Sequence, residues 1–198
     1  MENRETLTPK AAGTRRKLLT ATLEQIAAHG YRDVTVDDIA KSCSLSMGSA
    51  YRYFRNKKEM LLAAIEACYE NILTLSGTQE NRLAEFTFPE EMLGYVLQQF
   101  CRLHRTYAAI HEELESLRHI DPDVRALYEK IQHDAVEAMM SQCPPALAAL
   151  PDLRERLYAA IGILENCAHL QMKDPPPGGP DLEQFQKISI HAVRMLFP

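Results

Sequence analysis

Apolar residues recur along this chain at three- and four-residue steps, with few strand-like β-branched runs, so the pattern predicts helices throughout. From Thr14, the positions Leu18, Leu19, Thr22, Leu23, Ile26 and Ala27 fall on one helical face. Gly30 is placed to end that helix in a left-handed conformation, and Tyr31 and Val34 to close back onto the core. Thr35 is positioned to cap a helix that begins at Val36, with Asp38 answering three residues on. Val36, Ile39, Ala40 and Cys43 supply its apolar face. Ser46 caps a second helix running to about Phe54, with Ala50, Tyr53 or Phe54 facing inward. Two short helices crossing at a tight turn make a helix-turn-helix, whose second helix can lie in the major groove of DNA.

The run Asn56-Lys57-Lys58-Glu59 reads as a cap followed by a carboxylate, opening a long amphipathic helix. Met60, Leu61, Ala64, Ile65, Cys68, Ile72 and Leu75 mark its apolar side. Two lysines in a first turn oppose the helix dipole, at roughly 0.3–1 kcal/mol each when exposed. Something anionic should offset them, and a DNA phosphate at the helix N-terminus has the right charge.

Residues 76–88, with Gly77 and many polar side chains, read as a loop ending at Pro89. Helical patterns follow from Pro89 to about Tyr107 and from Ile110 to His119. Asp121-Pro122 restarts the chain as cap and first turn of a helix that stops before Pro144. Asp152 to Glu155 has the spacing of a capping box for a helix to about Met172, in which Gly162 would suit the close approach of another helix. A proline-glycine linker, 175–180, then leads to a last helix capped by Asp181. Before the first helix, residues 1–13, interrupted by Pro9 and Gly13, read as a loose arm with Arg4 and Lys10 placed to touch DNA.

Charge changes the picture more than composition does. Up to Lys58 there are eleven lysines and arginines against six acids, a net of +5, so the remainder of this −5 chain carries −10. A basic head on an acidic body suits a protein that offers one end to a polyanion. No apolar run is long enough to span a bilayer and the start of the chain lacks an apolar signal region, which predicts cytoplasmic residence and no membrane partner. Five scattered cysteines without CxxC spacing read as reduced, mostly buried thiols.

The run from Val34 through Leu61, with Tyr51-Arg52-Tyr53-Phe54 and Lys57-Lys58-Glu59, closely resembles the DNA-binding domain of the tetracycline-repressor (TetR) family of transcriptional regulators. The likeness reaches back over the helix ending at Gly30-Tyr31, about the first third of the chain. It implies an all-α fold: an N-terminal three-helix helix-turn-helix domain over residues 1–55, and a helical effector-binding and dimerisation domain over residues 56–198. It also implies a homodimer built through the last two helices, about 152–172 and 181–197. A dimer can present two recognition helices about 34 Å apart to a palindrome. The function expected is that of a ligand-responsive regulator, a repressor released from a double-stranded DNA operator by a small-molecule effector, without cofactor or catalysis.

Site residues follow from side-chain direction together with that resemblance. Ser46, Met47, Gly48 and Ser49, at the N-terminal end of the second short helix, are the candidates for base edges, with Met47 suited to a thymine methyl. Thr35, Tyr51, Arg52, Tyr53 and Lys57 carry hydroxyls or charge suited to phosphate oxygens. Tyr53 stands where the family often has histidine. In the body, the family's pocket would be lined by Tyr95, Phe100, Tyr107, Tyr128, Met139 and Met140, although such stripes also serve as plain core.

A metal-responsive alternative rests on His111, Glu115 and His119 at four-residue steps, with His104 somewhat earlier. The same groups, with Arg102, Arg105 or Arg118, would equally suit an anionic or hydrogen-bonding effector. A redox-responsive alternative would use Cys43 or another thiol. The chain has no nucleophile elbow, phosphate loop, HExxH or DxDxDG sequence, which argues against an enzyme.

Overall fold

The computed structural model describes residues 8–77, 94–95, 97–98, 101–102, 104–105, 108–141, 143, 145–172 and 177–197. Every regular element among them is helical. In order these are α1 (Pro9–His29), α2 (Val36–Ser42), α3 (Met47–Tyr51), α4 (Lys57–Gly77), α5 (Ala108–Ile120), α6 (Pro122–Ser141), α7 (Pro145–Ala148), α8 (Leu153–Leu170) and α9 (Leu182–Met195). The described residues between 94 and 105 are helical as well. No helix among the described residues is long and apolar enough to cross a membrane.

Contacts divide the chain into two compact units: residues 1–72 with 109–129, and residues 73–108 with 130–198. In the first, α1 packs on α2 and α2 on α3. The core is Leu18, Ile26, Val34, Val36, Ile39, Ala40, Ala50, Phe54, Met60, Leu61, Ala64 and Ile65, all buried. Burying a side chain such as Ile39 or Phe54 contributes about 1.5–3 kcal/mol. Thr22 is a polar residue in this core, and its hydroxyl donates to Leu18 O at 2.7 Å, so no orphan donor results.

α1 begins earlier than the polar arm suggests. Thr8 caps it, accepting from Ala11 N at 3.3 Å, and Pro9 occupies the first helical position, where a missing N–H costs nothing. Proline, read as an interruption, is here a starting signal. Its end matches expectation: Gly30 has φ +83° and donates to Ile26 O.

The second unit has two apolar clusters. One joins Leu97, Cys101, Ala160, Leu164, Cys167, Ala168 and Val193; the other joins Val136, Leu153, Leu157 and Ile161, with Met140 packed against it. α8 lies along α9. Asp181 caps α9 by accepting from the N–H groups of Glu183 and Gln184. Asp152, however, makes no side-chain cap bond for α8. Its carboxylate is drawn to Arg156 Nε at 2.8 Å, one turn on, and the arginine also donates to Leu196 O. A guanidinium four residues away competes with the backbone N–H groups and wins the carboxylate. Among the described residues the close approach expected at Gly162 is not made, since none of their atoms beyond the helix's own nearby backbone lies within 4 Å of where its Cβ would stand.

Candidate nucleic-acid interface

The surface is built from the capping residues outward. Thr35 Oγ1 accepts from Asp38 N at 3.2 Å while Asp38 Oδ2 accepts from Thr35 N at 2.9 Å, a full capping box. The Thr35 hydroxyl donates to the same carboxylate at 2.5 Å, and these hydrogen bonds hold Asp38 below the usual carboxylate range. Thr35 is exposed at the start of α2, but its one O–H already has an acceptor within the protein.

α2 ends in a Schellman turn. Leu45 N donates to Ala40 O at 2.8 Å and Ser44 N to Lys41 O at 2.9 Å, with Ser44 itself at φ +59°. This reversal turns the chain sharply enough for α3 to follow within a few residues. Ser46 then caps α3, accepting from Ser49 N at 3.2 Å, and the two serine hydroxyls share a hydrogen bond of 2.9 Å.

α3 buries only Ala50, and the chain after it buries Phe54, with the Arg15 guanidinium 5.4 Å from the Phe54 ring centroid. Everything else turns outward: Ser46, Gly48 and Arg52 are exposed, Ser49 and Tyr53 half-buried, and Met47 and Tyr51 are 46% and 49% exposed. Leaving a methionine and a tyrosine half in water on a five-residue helix gives up apolar burial, which a contact surface would recover. Among the described residues, the side chains of Tyr51, Arg52 and Tyr53 make no hydrogen bond or ion pair, so their donors face outward unspent.

α4 is capped by Asn56, whose Oδ1 accepts from Glu59 N at 2.8 Å, while Glu59 reaches back to Arg55 N at 2.6 Å. Both lysines that oppose its dipole are offset inside the chain. Lys57 Nζ donates to Tyr31 O at 2.5 Å and Val34 O at 2.6 Å. Lys58 Nζ pairs with Asp123 at 2.5 Å and Asp121 at 2.9 Å, and these hydrogen bonds raise it well above the usual lysine range. Desolvation pushes Asp121 up, but Lys58 and the N–H groups of Val124 and Asp123 together outweigh it and hold the carboxyl low.

Of the residues considered for an effector or metal, Tyr128 belongs to the first unit. It packs edge-on against Tyr69 with centroids 5.8 Å apart, and burial pushes its phenol far up. Arg118 lies over the Tyr128 ring and pairs with Glu115 at 2.7 Å, so Glu115 is held by a cation; His111 is half-buried and His119 exposed. In the second unit Tyr95 is half-buried, Met140 packs into the apolar cluster and Met139 is turned outward; Phe100 and Tyr107 lie outside the described residues. His104 faces His169 there, ring centroids 4.9 Å apart, a neighbour that spacing along the chain does not reveal. A cavity of about 300 Å³ in the first unit is lined by Gly30, Arg32, Asp33, Glu113, Ser116, Leu117 and Ile120, none of them among the expected effector residues. All five cysteines are free thiols; Cys101 and Cys167 are buried, Cys43, Cys68 and Cys143 half-buried.

A capped tri-helical head with an outward, donor-rich second short helix has the form of a helix-turn-helix DNA-binding domain, and every regular element among the described residues is helical. Residues 18–64 match the family model of bacterial regulatory proteins of the tetR family. Over that stretch the chain is similar to the DNA-binding domain of this family. It is 44% identical over 59 residues to the transcriptional regulator AcuR of Cereibacter sphaeroides, covering 30% of this chain and 27% of that protein. It is 30% identical over 96 residues to the HTH-type transcriptional regulator UidR of Escherichia coli, covering 48% of this chain and 42% of UidR. The matched stretches thus span less than half of these relatives. In fold, the chain is similar to the fatty acid degradation regulator FadR of Bacillus halodurans, with a TM-score of 0.68, 21% identity and 96% of each chain covered. Regulators of this family bind DNA operators and small-molecule effectors as dimers.

Proposed function

We propose that this chain is a homodimeric repressor that leaves a palindromic operator when a small molecule binds its body. Residues 1–55 act as the DNA-binding part and residues 56–198 as the effector-binding and dimerisation part. The observation that carries the reading is the outward face of α3, where Met47, Tyr51 and Arg52 are exposed beside the hydroxyls of Ser46 and Ser49. Ser46, Met47, Gly48 and Ser49 meet base edges, and Tyr51, Arg52 and Tyr53 meet phosphates. Thr35, exposed at the start of α2, is a further candidate for a phosphate.

The dimer is supported by α9. Its Ser189 and Val193 are buried while Ile188 and Met195 are 57% and 69% exposed, an apolar side left for another chain. An effector that prefers a body conformation with the two heads wrongly spaced would weaken operator binding by population shift. The solved FadR of Bacillus subtilis, similar in fold, was crystallised with stearoyl-CoA, which supports an effector role for the body without fixing its ligand class. A metal site built on Glu115 and a thiol sensor at Cys43 are not favoured. Glu115 is taken by Arg118, and desolvation raises the Cys43 thiol, which leaves less thiolate to oxidise.

The test is binding to duplexes from the chain's own promoter region across a salt series. Affinity should fall linearly on a log–log plot, and Arg52→Ala should reduce the slope by about 0.9. Salt-independent binding, or none at low ionic strength, overturns the reading.

A further inference from the structure

The first turn of α4 holds an arrangement that DNA contact does not require. Lys57 Nζ lies 2.5 Å from Tyr31 O, 2.6 Å from Val34 O and 3.4 Å from Arg32 O, with the centroid of the Tyr31 ring 4.4 Å away. An ammonium has three N–H donors, and three carbonyl oxygens match them in number while the aromatic face covers a further side. Those carbonyls belong to the turn between α1 and α2. Among the described residues no backbone N–H donates to them. The lysine and the turn therefore complete each other: the turn offers acceptors that no helix uses, and the lysine sits in a first turn where its charge is otherwise opposed.

Position gives the contact its consequence. Val34 is followed by Thr35, the cap of α2, so fixing the Val34 carbonyl fixes where α2 starts. The Schellman turn at Ser44 then passes that orientation to α3. Desolvation lowers the Lys57 pKa, as expected of an ammonium that has exchanged water for protein acceptors. To reach a phosphate it would have to abandon these oxygens.

We propose that Lys57 is a positioning residue of the head, tying the α1–α2 turn to the start of α4, and that it makes no phosphate contact of its own. The second half rests on the operator-binding reading; the first half does not.

Two measurements separate them. In the unaltered full chain without DNA, trace acetylation read by peptide mass spectrometry should modify Lys57 about tenfold or more slowly than Lys10 and Lys17, which are exposed. Equal rates overturn the tie. With a duplex carrying the operator, Lys57→Met should bind about tenfold or more weakly at every salt concentration with the log–log slope unchanged. A slope reduced by about 0.9, at unchanged thermal stability, would instead make Lys57 a phosphate ligand and overturn the proposal. If neither protein binds DNA, it is the operator reading that fails, and the acetylation result still decides the tie.

Discussion

Glu113 Oε1 accepts the backbone N–H of Tyr31 at 2.7 Å, across 82 residues of chain. That N–H follows the positive-φ Gly30 at the end of α1, where no helical acceptor is available to it. A carboxylate from α5 is thereby built into the turn that leads to the helix-turn-helix. Glu113→Ala should cost about 1–3 kcal/mol in urea unfolding, since it leaves a part-buried donor without its partner. Glu113→Gln, which keeps an acceptor oxygen, should lose less than half as much; equal losses would show that bulk and not the hydrogen bond matters.

Gly30 itself is fixed by backbone conformation and not by crowding. A Cβ there would meet its nearest described atom, Glu113 Oε1, at 3.8 Å, an ordinary contact, but φ is +83°. Gly30→Ala should therefore destabilise by about 1–2 kcal/mol through the backbone alone. Introducing Glu113→Asp beside it should not recover the loss.

The Schellman turn makes a complementary case at Ser44, which holds φ +59° with a Cβ. Ser44→Gly should be at least as stable as the parent, because relief of left-handed strain offsets glycine's entropy cost of about 0.5–1 kcal/mol. Ser44→Val, branched at Cβ, should lose roughly 1–2 kcal/mol and unfold at lower temperature. A stable valine variant would mean that the turn has another conformation.

Lys58 and its two aspartates set a pH window. Asp121 is held below its usual value, so its contribution is present above about pH 4 and is lost as pH falls through the depressed pKa. Lys58 is raised, so its contribution is present below about pH 10.4 and is lost as pH rises through the elevated pKa. The stability difference between parent and Lys58→Met should be flat from about pH 5 to 9 and shrink on both sides. Thermal unfolding over a pH series checks this, and a difference that persists at about pH 2 would show that the ion pairs are not its source.

The outward side of α9 predicts the assembly state. Ile188→Glu and Met195→Glu should each shift sedimentation from dimer towards monomer while leaving helical content unchanged. An unshifted double variant would place the partner chain elsewhere.

Much of the head was legible because its signals are local. Thr35 with Asp38, Ser46, Asn56 with Glu59, and Asp121 with Pro122 each declare a helix start within a few residues, and the structure forms a cap at every one. Where local signals misled, a side chain from one turn away or a positional rule intervened. Arg156 took the Asp152 carboxylate, and Pro9 opened α1 because the first helical N–H has no partner to lose. The Schellman turn at Ser44 was hidden because serine is not the usual residue for a positive φ.

By itself, the order of side chains determined that this chain is helical, where most helices begin, and that the exposed face of α3 carries hydroxyls and an arginine beside a basic segment. Those properties depend on neighbours within one or two turns, or on charge counted along the chain. Only the tertiary structure decided what the two lysines of α4 do. Their partners, the carbonyls at Tyr31 and Val34 and the carboxylates at Asp121 and Asp123, lie 23 to 65 residues away. An ammonium binds whichever acceptors the fold brings within about 3 Å, and spacing along the chain does not encode that.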